Sequence, residues 1–162
     1  MDLSQILIVL GLDFSRVVPH VVALTVAYVL AFPIGWDRER AERSAGLRTF
    51  PLVAMAACGF IQATERMLHN EPEALARVVE GIIGGVGFIG GGAILKINSS
   101  VRGTATAASL WATGGVGVAV GVGATDVAIV ISVMTFATLR YLAPFKSEQA
   151  ALPASEPNTG RD

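Results

Sequence analysis

From Val17 to Arg40 the chain reads VVPHVVALTVAYVLAFPIGWDRER, twenty residues without a charge followed by four charged residues in a row. About 20 apolar residues, each rising 1.5 Å along a helix, cross the hydrocarbon core of a bilayer. The stretch therefore reads as a membrane helix that stops at a charged interface. Outward from it lie four more uncharged runs: Thr49–Thr64, Gly81–Leu95, Gly103–Thr125 and Val127–Leu139, the last able to continue past Arg140 to Phe145. The second and third runs are short. Pro72 suits the first turn of a helix, so the third helix is expected to begin in the amphipathic stretch Glu73–Glu80 and then enter the membrane. The predicted fold is all-α: a polytopic membrane protein of about five transmembrane helices forming one domain, residues 1–145. Residues 146–162 are rich in Ser, Pro, Glu, Gln and Ala without an apolar period, and are expected to be a disordered tail. At 52% hydrophobic and 15% charged residues, the composition is too apolar for one small soluble domain.

Charge fixes the expected orientation. Arg38, Arg40, Arg43, Arg48, Lys96, Arg102, Arg140, Lys146 and Arg161 fall on one side of the predicted helices, and Arg16, Arg66 and Arg77 on the other. Nine against three places the N-terminus outside and the C-terminus in the cytoplasm. The start of the chain has Asp2 and no basic segment, so Leu3–Leu12 is expected to be a short interfacial or packed segment rather than a cleaved signal. A net charge of −1 gives no case for nucleic acid.

The residue types that carry chemistry are thinly spread. Cys58 is the single cysteine, which excludes an internal disulfide and a cysteine metal cluster, and His20 and His69 are too far apart for a local ligand motif. No acidic or basic residue falls near the middle of a span, where a proton pump usually holds one. The acids at the membrane edges, Asp37, Glu39, Glu65, Glu80 and Asp126, are too dispersed for the six-oxygen shell of Mg²⁺. Neither a nucleophile with a base nor a phosphate-binding loop is visible. No metal, no cofactor and no enzymatic activity are expected.

Twelve of the eighteen glycines form two blocks inside predicted helices, Gly81–Gly92 and Gly114–Gly123. Small residues four apart, such as Gly81 with Gly85, Gly87 with Gly91 and Gly117 with Gly121, let helix backbones approach closely. Helices three and four are thus expected to pack at the centre. The sharper alternative is that Gly90, Gly91 and Gly92 unwind the third helix and expose carbonyls to a polar pathway flanked by Gly85 and Gly87.

A candidate site gathers at the cytoplasmic side. Thr49 and either Thr104 or Thr106 can cap the first turns of helices two and four, whose dipoles make both ends electropositive, and Arg48 and Arg102 add full charges. Asp37 and Glu39, in the run Asp37-Arg38-Glu39-Arg40, are the candidate anions. A charge network among Asp37, Glu39, Arg48 and Arg102 would lock helices one, two and four together, or serve as a gate or a site for a phosphate, a lipid head group or a partner's acid.

Four ordered segments carry a resemblance. Pro33-Ile34-Gly35-Trp36-Asp37-Arg38-Glu39-Arg40, Ala45-Gly46-Leu47-Arg48-Thr49, Gly85-Val86-Gly87-Phe88-Ile89-Gly90-Gly91-Gly92-Ala93-Ile94 and Val101-Arg102-Gly103-Thr104-Ala105-Thr106-Ala107-Ala108-Ser109-Leu110-Trp111 resemble the signature blocks of the MgtC/SapB family of bacterial inner-membrane proteins. The resemblance implies a link to growth in low magnesium, to survival in acidic host compartments and to virulence. For some members it implies inhibition of the proton-driven ATP synthase. It does not imply that Mg²⁺ is carried. Many members carry a soluble cytoplasmic domain after the fifth helix, and the expectation here is a short form without it. The expected partners are the lipid bilayer, ATP synthase or another membrane protein, and further copies of the chain in a homo-oligomer; the competing expectation is a small oligomeric ion transporter or channel.

Overall fold

The computed structural model describes residues 14–41, 45–65, 71–97 and 100–142, and among these described residues five helices and one short hairpin follow one another. They are α1 (Phe14–Arg40), α2 (Thr49–Glu65), α3 (Pro72–Gly92), β1 (Leu95–Ile97), β2 (Ser100–Arg102), α4 (Thr104–Gly121) and α5 (Thr125–Tyr141). The expected Leu3–Leu12 segment, Arg43 and the tail from residue 146 lie outside the described residues.

Local chemistry explains the boundaries. Pro72 opens α3 at its first turn, where a missing N–H costs nothing, with Glu73 beside it at the positive end of the helix dipole. Pro19 and Pro33 lie within α1, and the helix runs through both. Gly103 lies just before α4 with φ +91°, a left-handed conformation that a side chain resists. The segment between α3 and α4, read from sequence only as a connection, forms an antiparallel hairpin pairing Leu95 with Arg102, Lys96 with Val101 and Ile97 with Ser100.

The helices alternate in direction. Gly35 of α1 abuts Gly46, Leu47 and Phe50 at the approach to α2, and Leu24 meets Gly59 further along, so α1 and α2 are antiparallel. Gly90 against Ala107 and Gly114 against Val86 make α3 and α4 antiparallel, whereas α4 and α2 run parallel, with Gly117 over Ala54 and Gly121 over Cys58 and Ile61. The C-terminal ends of α1, α3 and α5 and the N-terminal ends of α2 and α4 thus share one end of the molecule, the end expected to be cytoplasmic.

α4 is the central helix and touches the other four. Its inner part packs small residues against small residues, with Val116, Ala119 and Val120 meeting Ala27, Ala31, Ala54, Cys58 and Ala128. Larger side chains fill the end where the charges lie: Ile34, Phe50, Leu110 and Leu139 are buried together there. The expectation that α3 shares the centre is corrected. α3 is peripheral, held mainly on α4, with Gly90 against Ala107 and Val86 against Gly114, while Ile82 and Val86 also reach Ala57 and Ile61 of α2. Gly81, Gly84, Gly85, Gly87, Gly91 and Gly92 face open space, with nothing within 4 Å of where a Cβ would stand. The unwinding of α3 at its last three glycines is also corrected, since the helix continues through Gly92 and Ala93 N–H still bonds Gly90 O at 3.0 Å.

Among the described residues no buried hydroxyl lacks a partner. Ser109 Oγ donates to Thr106 O at 2.9 Å and Thr113 Oγ1 to Ser109 O at 2.8 Å, within α4, while Ser132 Oγ crosses from α5 to Leu30 O of α1 at 2.6 Å. On the outside, Thr25 and Thr64 likewise turn their hydroxyls back onto their own helices. α1 and α3 are long and apolar enough to cross a membrane. α2 and α5 have 17 residues each, about 26 Å of helix, close to the hydrocarbon thickness of about 30 Å.

Candidate functional site

The junction of α1 with α2 is built by close approach. A Cβ on Gly46 would collide with the Glu39 carboxylate, and one on Gly35 would stand 3.2 Å from Gly46 O and 3.3 Å from Phe50 Cβ. With neither Cβ present, Glu39 Oε2 accepts a hydrogen bond from Leu47 N–H at 3.0 Å and ties the end of α1 to the loop before α2. Gly46 O in turn accepts from Thr49 N–H at 3.0 Å and Phe50 N–H at 3.2 Å, which starts α2 without any side-chain cap from Thr49.

Arg38 is the buried charge of this end, only 6% exposed. It lies one helical turn from buried Ile34, and its guanidinium holds Asp37 Oδ2 at 2.6 Å from Nη2 and 3.2 Å from Nε. A buried cation without such a partner would be costly, so Asp37 is committed to Arg38. Arg40 stacks over the Trp36 ring, 5.3 Å from its centroid, and Trp36 leans on Phe32 at 5.8 Å.

These pairings replace the network expected from sequence. Asp37 and Glu39 are bound by Arg38 and Leu47, and among the described residues Arg48 and Arg102 form no ion pair with them. Arg48 is exposed at the start of α2, and Arg102 and Thr104 are exposed where the hairpin meets α4. The residue preceding α4 is Gly103, which has no side chain to cap with, and Thr106 is buried, its carbonyl accepting from Ser109. Ser109, Thr113 and Ser132 are polar contributors to the packing that the sequence reading passed over; the spacing of Thr106, Ser109 and Thr113, three and then four residues apart on one helix face, was the available signal.

One feature joins the charged end to the glycine face. α2 and α3 meet α4 but touch each other sparingly, and between them runs a groove of about 720 Å³. Its walls are Leu52, Ala56 and Phe60 on α2 and Gly81, Gly85 and Ile89 on α3; Arg48 and Thr49 close one end, and Thr64 lies at the other. Of the predicted site residues, the groove gathers Arg48, Thr49 and Gly85. Gly90 is used up in the contact with Ala107, and Gly87, Gly91 and Gly92 point elsewhere into open space. No group of three His, Cys, Asp or Glu side chains suited to a metal ion occurs among the described residues.

Comparison with known proteins agrees with the four sequence blocks. The chain is 39% identical to protein MgtC of Salmonella typhimurium over 105 residues, 65% of this chain and 44% of that protein. It is 39% identical to protein MgtC of Brucella abortus over 118 residues, 73% of this chain and 49% of that protein. Protein SrpB of Synechococcus elongatus matches at 38% over 152 residues, covering 86% of this chain and 78% of that protein. The chain thus spans about half the length of the MgtC proteins it matches. No solved structure matches it. The pattern of the MgtC family matches residues 24–148, which include all four blocks, and the chain belongs to that family.

Proposed function

We propose that the chain is a multi-pass protein of the bacterial inner membrane that acts by binding another membrane component along the α2–α3 groove, not by catalysis. The observation that carries this reading is the groove itself: an apolar cleft, open sideways between two helices, with an arginine at one end. The outer surface supports the membrane setting for all five helices. Val29, Phe60, Phe88, Trp111 and Val130, one from each helix, are all more than half exposed, a distribution that suits lipid and not water. Hydroxyls turned onto helix carbonyls suit the same solvent. In this reading the charged end faces the cytoplasm, and the physiological context implied by the family resemblance is growth under magnesium limitation or acid stress. A membrane protein such as ATP synthase, and further copies of the chain, are the partners to be sought first.

The test is complementation. In a strain that needs this protein to grow in low magnesium, Arg48→Ala is expected to abolish growth while membrane insertion and abundance stay unchanged, and Arg48→Lys to restore part of it. Full growth of an inserted Arg48→Ala variant would reduce Arg48 to a topological flank and sink the assignment. Flux of Mg²⁺, H⁺ and phosphate in proteoliposomes is expected to be absent; saturable flux lost in the variant would instead establish a transporter.

A further inference from the structure

We infer that the α2–α3 groove seats an acyl chain of an anionic phospholipid from the cytoplasmic leaflet, whose phosphate is held by the Arg48 guanidinium. This names the ligand class for the groove-binding reading above and rests on it.

The length of the groove suits an extended hydrocarbon chain. From Arg48 to Thr64 the groove follows sixteen residues of α2, about 24 Å of rise, close to the depth one leaflet and part of the next present to a chain. The cleft of about 720 Å³ opens sideways along this length, so an extended chain can enter it from the lipid. The walls are almost wholly carbon, and the polar groups stand only at the two ends. Gly81 and Gly85 on one side and Ala56 and Ala57 on the other keep the cleft open, because larger residues there would fill it.

Charge supplies the second argument. Of the described acids at this end, Asp37 and Glu39 are engaged, by Arg38 and by Leu47 N–H. Among the described residues Arg48 forms no ion pair and no acidic side chain lines the groove, and Arg48 stands exposed beside Thr49 at the electropositive start of α2. A ligand complementary to this arrangement is apolar along its length and anionic at the end that reaches the interface. A phospholipid with a net negative head group has that form.

The experiment uses the full chain, purified in mild detergent, and native mass spectrometry with phosphatidylglycerol and phosphatidylcholine of identical acyl chains. Wild-type protein is expected to retain phosphatidylglycerol about fivefold over phosphatidylcholine, the ratio that about 1 kcal/mol per arginine near a membrane surface gives. Arg48→Ala is expected to erase the preference. Gly85 lines the groove with nothing within 4 Å of its Cβ position, so Gly85→Leu is expected to fill the cleft and lose retention of both lipids. Gly87→Leu, equally open but outside the groove, is expected to retain both like the wild type and so controls for folding. Equal retention of the two lipids by wild type, or unchanged retention in Gly85→Leu, would overturn the lipid assignment. So would a dimer that Gly85→Leu dissociates while lipid retention stays unchanged, which would give the groove to a second copy. Failure of the lipid assignment while Arg48→Ala still abolishes growth leaves groove binding standing with a different occupant, so the two readings fail separately.

Discussion

Two glycine-rich helices of similar length lie side by side here and use the residue in opposite ways. On α4, Gly114, Gly117 and Gly121 are each closed against a neighbour: Val86 of α3 meets the first, and Ala54, Ala57 and Ile61 of α2 meet the others. On α3, six glycines face open space and only Gly90 touches another helix. Spacing does not separate the two, for Gly117 with Gly121 and Gly81 with Gly85 are the same four-residue pair. The difference teaches that small residues permit close approach without choosing the partner. α4 uses its glycines to sit among four helices, while those of α3 leave one face bare and one flank of a groove shallow.

The comparison breaks most visibly at Gly117. A Cβ there would overlap the Ala54 carbonyl, a backbone atom that cannot swing aside, and would stand 2.8 Å from Ala57 Cβ. Gly117→Ala must push α2 and α4 apart, and overpacking of this kind costs about 3 kcal/mol where the obstacle is rigid. The expected result is a large loss of stability in reversible unfolding measured in detergent or bicelles. A variant within about 0.5 kcal/mol of wild type would mean the two helices are not seated as described.

Gly103 and Gly123 sharpen the contrast with a smaller effect. Both have positive φ, +91° and +83°, but a Cβ on Gly103 would strike the Ala93 carbonyl while one on Gly123 meets nothing within 4 Å. The left-handed conformation alone costs a side chain about 1–2 kcal/mol. Gly123→Ala is expected to show only that strain, and Gly103→Ala to exceed it because the turn from hairpin to α4 must also shift. Equal losses at the two sites would show that the contact with Ala93 contributes nothing.

How much of this was legible in the sequence follows from the range of each interaction. The starts of α2 and α3 were, because Pro72 and the Arg48-Thr49 edge act within a turn or two of themselves, whereas the charged run after Trp36, read as the stop of the first helix, lies inside α1, which continues to Arg40. The central place of α4 was also foreshadowed, since a helix small and apolar on every side belongs inside a bundle. The peripheral place of α3 was not, because its glycines carry no mark of what stands opposite them. The charged end was half legible: its residues gather at one end, but the pairing of Asp37 with adjacent Arg38 runs against the rule that neighbours on a helix do not face each other. It forms because Arg38 is buried beside Ile34 and must be neutralised locally. The role of Gly46, making room for Glu39 and Gly35 at once, needed coordinates, since it depends on three segments meeting.

The smallest effect tests the open side of the comparison. Gly84 lies mid-helix on α3, outside the groove, with nothing within 4 Å of its Cβ position. An alanine there removes backbone freedom from the unfolded chain and meets no neighbour, so Gly84→Ala is expected to stabilise by about 0.5 kcal/mol. The sign matters more than the size. A destabilisation would mean that the bare face of α3 is covered in the membrane by something a methyl group disturbs. Repeating the measurement across a range of protein-to-lipid ratios then identifies the cover: a loss that grows with protein density points to a second copy packed on the glycine face, and a loss independent of density points to another part of the same chain.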